Sequence, residues 1–581
     1  MDDFYQLLTN STDAIDASKS GGLITNALTV IRSVPLPIVL SIALAPVLLI
    51  IATRLLSERP SEKQKGKDGK TVWMPAYWVP GLGHMVAFLM NGEKLARELR
   101  DQSAHGIFAL NLGGSTHNII SNPNLVKAVL QKKESDVAFK TVALGLSAKF
   151  FGLPKKAEKV YVDNWEEYTS VFTYLMKEPH LSSMLDKTLR NLEGLIPQMV
   201  SFMDSEIDQH PWEKWANAEY ISNNEMEVDL MALVRDILGH ASVPSLFGRE
   251  FLDNNPHVLH DIYEMDRGMM YFIMGLPWFT PWPAVARAYY SRSQIQQSMT
   301  KFQEALDATV DGKQVDSSYG DLDDVSEFIL KRHELFRKHG LKPDERGDIS
   351  VIWALIVNST LIVYWHLLYI LSTPGLADKI RAEISPYATV TPGEKIGSIS
   401  EAPHIHLSHE DLSKKCPLFK STYLEASRLC SQPISLRKLE NDITLTDTSS
   451  SKETDKTTYM LHKNEYVTLP HDLHMRDPSY FPSPTEFNPE RFLTTDETGN
   501  ISVDPQTIRP YGGGPSMCKG RVYAERECLA FVAGIIMYWD IGAVAKKGEK
   551  KGKWTIPKMI KTSAVCLPDK ETRVRIKRRE V

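Results

Sequence analysis

Cysteine is scarce in this chain of 581 residues: five are present, Cys416, Cys430, Cys518, Cys528 and Cys566. An odd, sparse set without paired spacing excludes a disulfide scaffold and points to reduced thiols on the cytosolic side of a membrane. An excess of charge of one sign is missing too. With 67 basic and 72 acidic side chains and a net charge of −5, the chain has no global nucleic-acid footprint. No internal repeat is found, and His471 and His474 lack a third ligand, so structural histidines are expected there rather than a metal pair.

What the chain does have is enough apolar material for a large core, with 43% hydrophobic and 24% charged residues. Charge is absent from Val34 to Ala52, close to the ~20 residues that span a bilayer as a helix. Pro35, Pro37 and Pro46 fall inside or at the edge of this stretch, and membrane helices tolerate such kinks. Asp2, Asp3, Asp13 and Asp16 precede it, and Arg54, Arg59, Lys63, Lys65, Lys67 and Lys70 follow. The positive-inside rule therefore places the bulk of the chain in the cytosol. A cleaved signal peptide is the rival reading, weakened by the acidic start and the basic continuation. With residues 1–33 lumenal, Asn10-Ser11-Thr12 becomes a glycosylation sequon.

The chemistry concentrates in Tyr511-Gly512-Gly513-Gly514-Pro515-Ser516-Met517-Cys518-Lys519-Gly520-Arg521. One cysteine sits in a glycine-rich loop that runs into a predicted helix. Glycines let backbone N–H groups approach the sulfur, and the positive end of a helix starting near Arg521 stabilises a thiolate. Such a thiolate is how a protein presents sulfur to a haem iron, pushing electron density toward O–O cleavage. A plain glycine-rich turn, or a degenerate phosphate loop ending in Lys519, has the same outline when the loop is taken alone. Upstream, Glu425 and Arg428 lie one helical turn apart, and Phe487-Asn488-Pro489-Glu490-Arg491-Phe492 stands between that helix and the loop.

The loop resembles the haem-binding loop of the cytochrome P-450 family, and the Pro489-Glu490-Arg491-Phe492 unit resembles that family's meander. The resemblance implies a mainly α cytochrome P-450 fold, a large helical domain with a small β-rich region, binding haem b through Cys518. It implies that Glu425, Arg428 and Arg491 lock together behind the haem as scaffold, since buried charges persist when paired by fixed hydrogen bonds. Tyr511, Gly514 and Gly520 are expected at the cofactor. Tyr511 replaces the usual phenylalanine and Ser516 the usual arginine, so another cation must face a propionate. Arg437, in Ser435-Leu436-Arg437, matches a family position that does so, and His180 is a further candidate. By the same resemblance residues 1–33 form a lumenal segment, 34–53 a transmembrane anchor, 54–80 a basic, proline-containing linker and 81–581 the catalytic domain, giving a single-pass protein of the endoplasmic reticulum membrane.

A long apolar helix from about Asp348 to Leu371 has one polar interruption, Asn358-Ser359-Thr360. Most monooxygenases of the family carry an acid and a threonine there. An amide organises water but cannot relay protons as a carboxyl does, so delivery is expected through hydroxyls, with Asn358, Ser359 and Thr360 as the catalytic trio. Asn358, Trp365 and the missing arginine together resemble the sterol hydroxylase and prostacyclin synthase branch. That implies a haem-thiolate monooxygenase acting on a sterol, terpenoid or other specialised metabolite, with NADPH electrons from a flavoprotein reductase docked near Lys519, Arg521 and Arg526. A haem-thiolate isomerase that rearranges a peroxide without NADPH is the alternative, and a non-catalytic haem protein a remote one. Met269 to Tyr290, rich in Trp and Pro, reads as a lipid-facing substrate entrance.

Overall fold

The structure is a computed structural model that describes residues 36–62, 69–103, 105–396, 399–448, 456–545, 552–562 and 564–580. The lumenal segment, Val34, Pro35 and the lysines from Lys63 to Lys67 fall outside the described residues. The backbone divides into two units, one ending at Asn118 and one beginning at Ile119.

The first unit opens with α1 (Leu36–Leu56), a helix that runs past the charge-free stretch and holds Pro46 inside it. From Leu44 to Ile51 its side chains are apolar and exposed, Leu48 at 63%, and Leu56 at its end is 83% exposed. In water such a surface is costly, about 25 cal/mol per Å² of apolar area. After α1, the Ser57 hydroxyl accepts from the Tyr77 N–H at 2.9 Å, and the Arg54 guanidinium lies over the Trp78 ring at 5.2 Å. Then come α2 (Met85–Gln102), β1 (Ile107–Leu112) and β2 (Ser115–Ile120), with a Gly113-Gly114 turn at φ +63° and +87°. β2 carries the chain across the division.

The second unit is mainly helical. In chain order its principal elements are β3 (Val137–Ala138), α3 (His180–Leu195), β4 (Glu219–Ser222), β5 (Glu225–Asp229), α4 (Leu230–Phe247), α5 (Pro283–Val310), α6 (Glu327–Lys338), α7 (Ile349–Ser372), α8 (Pro417–Cys430), β6 (Ile434–Leu439), β7 (Tyr466–Pro470), α9 (Arg521–Tyr538), β8 (Trp539–Ala543) and β9 (Arg573–Arg578). α3, α4, α7 and α9 pack on one another around an apolar core. α7 is apolar on all sides and mostly buried, as a helix with no solvent face must be. It ends at Thr373, after which Gly375 turns left-handed at φ +72°. α4 starts on Asp229, whose carboxylate caps Ala232 N–H at 3.1 Å and also accepts from Thr572 N–H at 2.9 Å, tying the helix to β9.

Several small antiparallel sheets complete the unit, and two of them frame the site and the ends of its helices. In one, β6 lies between β7 and β3, with Arg437 opposite Val467. In the other the order is β8, β9, β5, β4. The first turn of α7 is held by ions and amides in place of apolar contact: buried Asp348 accepts from Arg332 Nε of α6 at 2.7 Å and from Gln303 Nε2 of α5 at 2.6 Å. Beside it Arg346 donates to both oxygens of Asp307, at 3.1 and 2.8 Å.

Behind α8 the structure brings Glu425, Arg428 and Arg491 together. The Glu425 carboxylate accepts a bidentate pair from Arg428, Nε at 2.8 Å and Nη2 at 2.9 Å, and two bonds from Arg491 Nε at 3.0 and 3.1 Å. Arg428 also donates to the carbonyls of Met475 and Pro484, both at 2.8 Å, and Arg491 to that of Pro482 at 2.8 Å. Removing one member of a buried ion cluster leaves uncompensated charge. Glu425→Ala is therefore expected to cost about 3–5 kcal/mol, read as a large fall in unfolding temperature and soluble yield.

Candidate active site

A cavity of about 950 Å³ is lined both by residues of α7 and by residues of the glycine-rich loop. The loop's shape follows from its backbone. Gly512 and Gly514 take φ of +73° and +68°, and a Cβ on Gly514 would meet the Leu130 carbonyl oxygen at 3.0 Å. The Cys518 N–H closes the loop on the Tyr511 carbonyl at 3.1 Å, and α9 begins at Arg521. The result is a sulfur whose accessible surface faces the cavity. Burial pushes the Cys518 thiol up, while the N–H groups of Gly520 and Arg521 and the nearby cationic side chains pull it down.

Arg437 reaches the same cavity from β6. Strand alternation places Ser435, Arg437 and Leu439 on one buried face. The guanidinium is 5% exposed, lies over the Phe139 ring at 4.7 Å, and donates to the Leu436 carbonyl at 2.8 Å and to the Ser516 hydroxyl. No carboxylate lies within ion-pair distance of it among the described residues, and the Glu134 carboxylate on the same cavity acts on it only from farther off. Burial holds its pKa below the usual arginine value. Tyr511 also lines the cavity, its phenol hydrogen-bonded to that of Tyr423 from α8.

The polar trio of α7 divides. Asn358 and Ser359 line the cavity, and the Asn358 Oδ1 is buried without a hydrogen-bond partner. Thr360 does not line it, which corrects the expectation of a catalytic trio. The helix turns this residue away, and its hydroxyl is taken by the Ile356 carbonyl at 2.7 Å and the Tyr263 phenol at 3.1 Å. Gly514 shapes the loop without touching the cavity, whereas Gly520 does line it. His180 is also elsewhere, paired with Glu327 at 2.8 Å and stacked on Tyr174. His471 and His474 bond Ser435 at 2.9 Å and Thr507 at 2.8 Å, and no metal cluster exists among the described residues. None of the residues from 269 to 290 lines the cavity, so the expected entrance is not at its wall. Phe139 and Tyr423 were missed at the level of sequence, because their partners lie far along the chain and no local pattern links them.

The family model for cytochrome P450 matches residues 74–553. The chain belongs to that family. A cytochrome P450 monooxygenase named poxD from Penicillium oxalicum is 24% identical over 513 residues, 87% of this chain and 93% of that protein. A 7-alpha-hydroxycholest-4-en-3-one 12-alpha-hydroxylase from Oryctolagus cuniculus is 25% identical over 484 residues, 80% of this chain and 85% of that protein. Among solved structures, retinoic acid-bound cyanobacterial CYP120A1 superposes with a TM-score of 0.59 at 16% identity, covering 86% of this chain and 98% of that one. The cytochrome P450 fold follows, and the chain is an enzyme of the monooxygenase class.

Cytochromes P450 carry haem, and the cavity residues of this P450 fit one. A thiol flanked by backbone N–H donors stands on one wall, suited to an iron-bound anion. A buried guanidinium without a carboxylate stands on the same cavity, suited to a propionate. The Tyr423–Tyr511 contact braces the loop from behind. Tyr511→Phe is expected to leave the buried Tyr423 hydroxyl unpaired and cost about 1–3 kcal/mol, whereas Tyr511→Phe combined with Tyr423→Phe recovers most of it. Thermal unfolding of the three proteins checks this.

Proposed function

We propose that this cytochrome P450 is a membrane-anchored haem-thiolate monooxygenase that hydroxylates a hydrophobic substrate, a sterol, terpenoid or other specialised metabolite, with NADPH electrons delivered by a flavoprotein reductase. The observation that carries the reading is one cavity lined by Cys518, Arg437, Asn358 and Ser359. Haem bound there supplies the chemistry of the family, reductive cleavage of dioxygen with transfer of one atom to a C–H bond.

The chain's own residues have distinct tasks in this reading. Cys518 is the thiolate ligand, stabilised by the N–H groups of Gly520 and Arg521. Arg437, steadied by Ser516 and Phe139, holds a propionate in place of the loop arginine that this sequence lacks. Tyr511 and Gly520 border the cofactor, and Gly514 permits the turn that delivers the cysteine. Glu425, Arg428 and Arg491 fix α8 to the meander. Asn358 and Ser359 order water over the reacting centre, with Asn358 unable to supply a proton itself. Lys519, Arg521 and Arg526 give the reductase a basic approach, which chiefly accelerates encounter. The substrate class is supported by the apolar lining and by the names of the two relatives, one a fungal monooxygenase and one a sterol hydroxylase.

Anchoring to the endoplasmic reticulum membrane, with the catalytic domain cytosolic, is supported by α1 and by the charge asymmetry around it. A second apolar surface lies in the catalytic unit, where Met270, Met274, Trp278, Phe279 and Trp282 are all about half exposed or more. Trp residues at this density suit a membrane–water interface. Bromine-labelled lipid vesicles should quench Trp278 and Trp282 fluorescence, and replacing both by Ser should release a variant truncated before residue 57 from vesicles.

The central test is the spectrum of the reduced, carbon monoxide-bound protein, expected to show thiolate ligation that Cys518→Ser abolishes. Retention of that spectrum by the variant would overturn the assignment. Arg437→Leu should weaken haem retention roughly 10- to 100-fold, the loss of a charge-assisted hydrogen bond of about 1.5–3 kcal/mol, measured as haem per protein after gel filtration. Turnover of a lipophilic peroxide without NADPH, and no NADPH consumption with reductase, would favour the isomerase instead.

A further inference from the structure

Two buried arginines line the cavity near the first turn of α7, and they spend their hydrogen-bond donors differently. Arg346 commits every nitrogen to protein: Nη2 to both oxygens of Asp307, Nη1 to Gln303 Oε1 at 2.9 Å and Nε to the Leu341 carbonyl at 3.2 Å. Arg332 of α6 commits only Nε, to Asp348 Oδ1 at 2.7 Å. Neither of its Nη groups has a hydrogen-bond partner among the described residues, and neither is sealed off by the atoms around it. Of the five N–H donors of a guanidinium, those on both Nη atoms are thus left for an occupant of the cavity.

The surroundings fix this fork in place. Three phenylalanine rings surround the Arg332 guanidinium, Phe172 and Phe336 each at 5.2 Å and Phe328 at 5.8 Å. Tyr168 packs on the same Phe336 ring with centroids 5.7 Å apart; it lines the cavity, and its buried hydroxyl has no hydrogen-bond partner among the described residues. Burial pushes that phenol up to about 12, so at neutral pH it keeps its proton. Charge is balanced here: Arg332 faces Asp348, Arg346 faces Asp307, and the carboxylates nearest along the lining, Glu166 and Asp344, are exposed to solvent. An uncharged acceptor suits such a place better than an anion. Asp348 precedes Asn358 by ten residues on one helix, a separation of about 15 Å along its axis.

Resting on the monooxygenase reading above, we propose that Arg332 determines specificity: its open fork receives an uncharged oxygen, a carbonyl or hydroxyl, at one end of an otherwise apolar substrate. That reading puts Asn358 over the reacting centre, so the carbon presented for hydroxylation lies about 15 Å from the recognised oxygen. The fork is planar and held on its other edge by Asp348, so little freedom is lost when it binds. A substrate without the oxygen leaves buried donors facing hydrocarbon, and such unpaired groups are what rejects it. The ion pair with Asp348 and the reading of substrate use different nitrogens of one side chain, which makes the two roles separable.

The experiment titrates the haem-loaded protein with three probes of one chain length, tetradecane, tetradecan-2-one and tetradecanoic acid, and follows the haem absorbance. Wild type is expected to bind the ketone about 10- to 100-fold more tightly than the alkane, the worth of one hydrogen bond to a charged group, and more tightly than the acid. Arg332→Lys keeps a cation for Asp348 but loses the fork, and the preference for the ketone should disappear. With reductase, wild type should hydroxylate the ketone near the end remote from its oxygen, whereas the variant should scatter its products along the chain. The infrared C=O stretch of the bound, isotope-labelled ketone gives a readout without turnover, one that a purely structural arginine would not move. It should fall to lower frequency in wild type and return in Arg332→Lys. Should Arg332→Lys fail to fold, Arg332→Met combined with Asp348→Leu removes the pair without stranding a charge, and the preference should be lost there too. No preference for ketone over alkane in wild type, a preference for the acid over the ketone, or a ketone preference retained by the variants overturns the proposal. A wild type without the thiolate spectrum would instead sink the monooxygenase reading.

Discussion

The catalytic unit depends on a carboxylate shut away from water. Glu425 accepts from two guanidiniums, and those guanidiniums in turn donate to carbonyls at Met475, Pro482 and Pro484. One side chain thereby joins a helix to an irregular segment that has little regular hydrogen bonding of its own. The cluster gains no stability over an apolar replacement of equal volume in general. What it provides is position. Arginine's planar fork has few ways to satisfy a carboxylate and two carbonyls at once, so the meander is fixed in register against α8, and Tyr423 on the same helix is fixed against Tyr511 in the cysteine loop.

From that brace the rest of the site can be traced. The loop carries Cys518 into the cavity because its glycines allow left-handed turns, and α9 then points its N–H groups at the sulfur. Ser516 and Arg437 form one unit across two segments, the serine accepting where an arginine would have competed for the same space. A buried cation with no ion-paired carboxylate among the described residues is the electrostatic complement of a buried anion, and Arg437 supplies that half of the arrangement.

Much of this was legible in the sequence, for physical reasons that can be named. The cysteine loop is local, so its glycines and the start of α9 could be read directly. Helix α7 was readable because a long apolar run needs burial, whereas Arg437 was placed only by its match to a family position. Which faces of α7 meet the cavity was not readable, since the helix is apolar all round and offers no stripe to orient it. Thr360 was misassigned for that reason. Phe139 beneath Arg437 and the Tyr423–Tyr511 pair come from segments separated by tens to hundreds of residues, and no spacing rule connects them. His180 is paired with Glu327 away from the cavity lining, a contact that no local pattern marks.

The ionic clasp on the first turn of α7 has a consequence for how this protein can diversify. With Asp348 gripped by Arg332 and Gln303, the helix is pinned at one end and cannot slide along its axis to make room. A close-packed interior transmits rather than absorbs such shifts. Room in the cavity is then set by the individual side chains that α7 presents to it, Trp353, Leu355 and Asn358 among them.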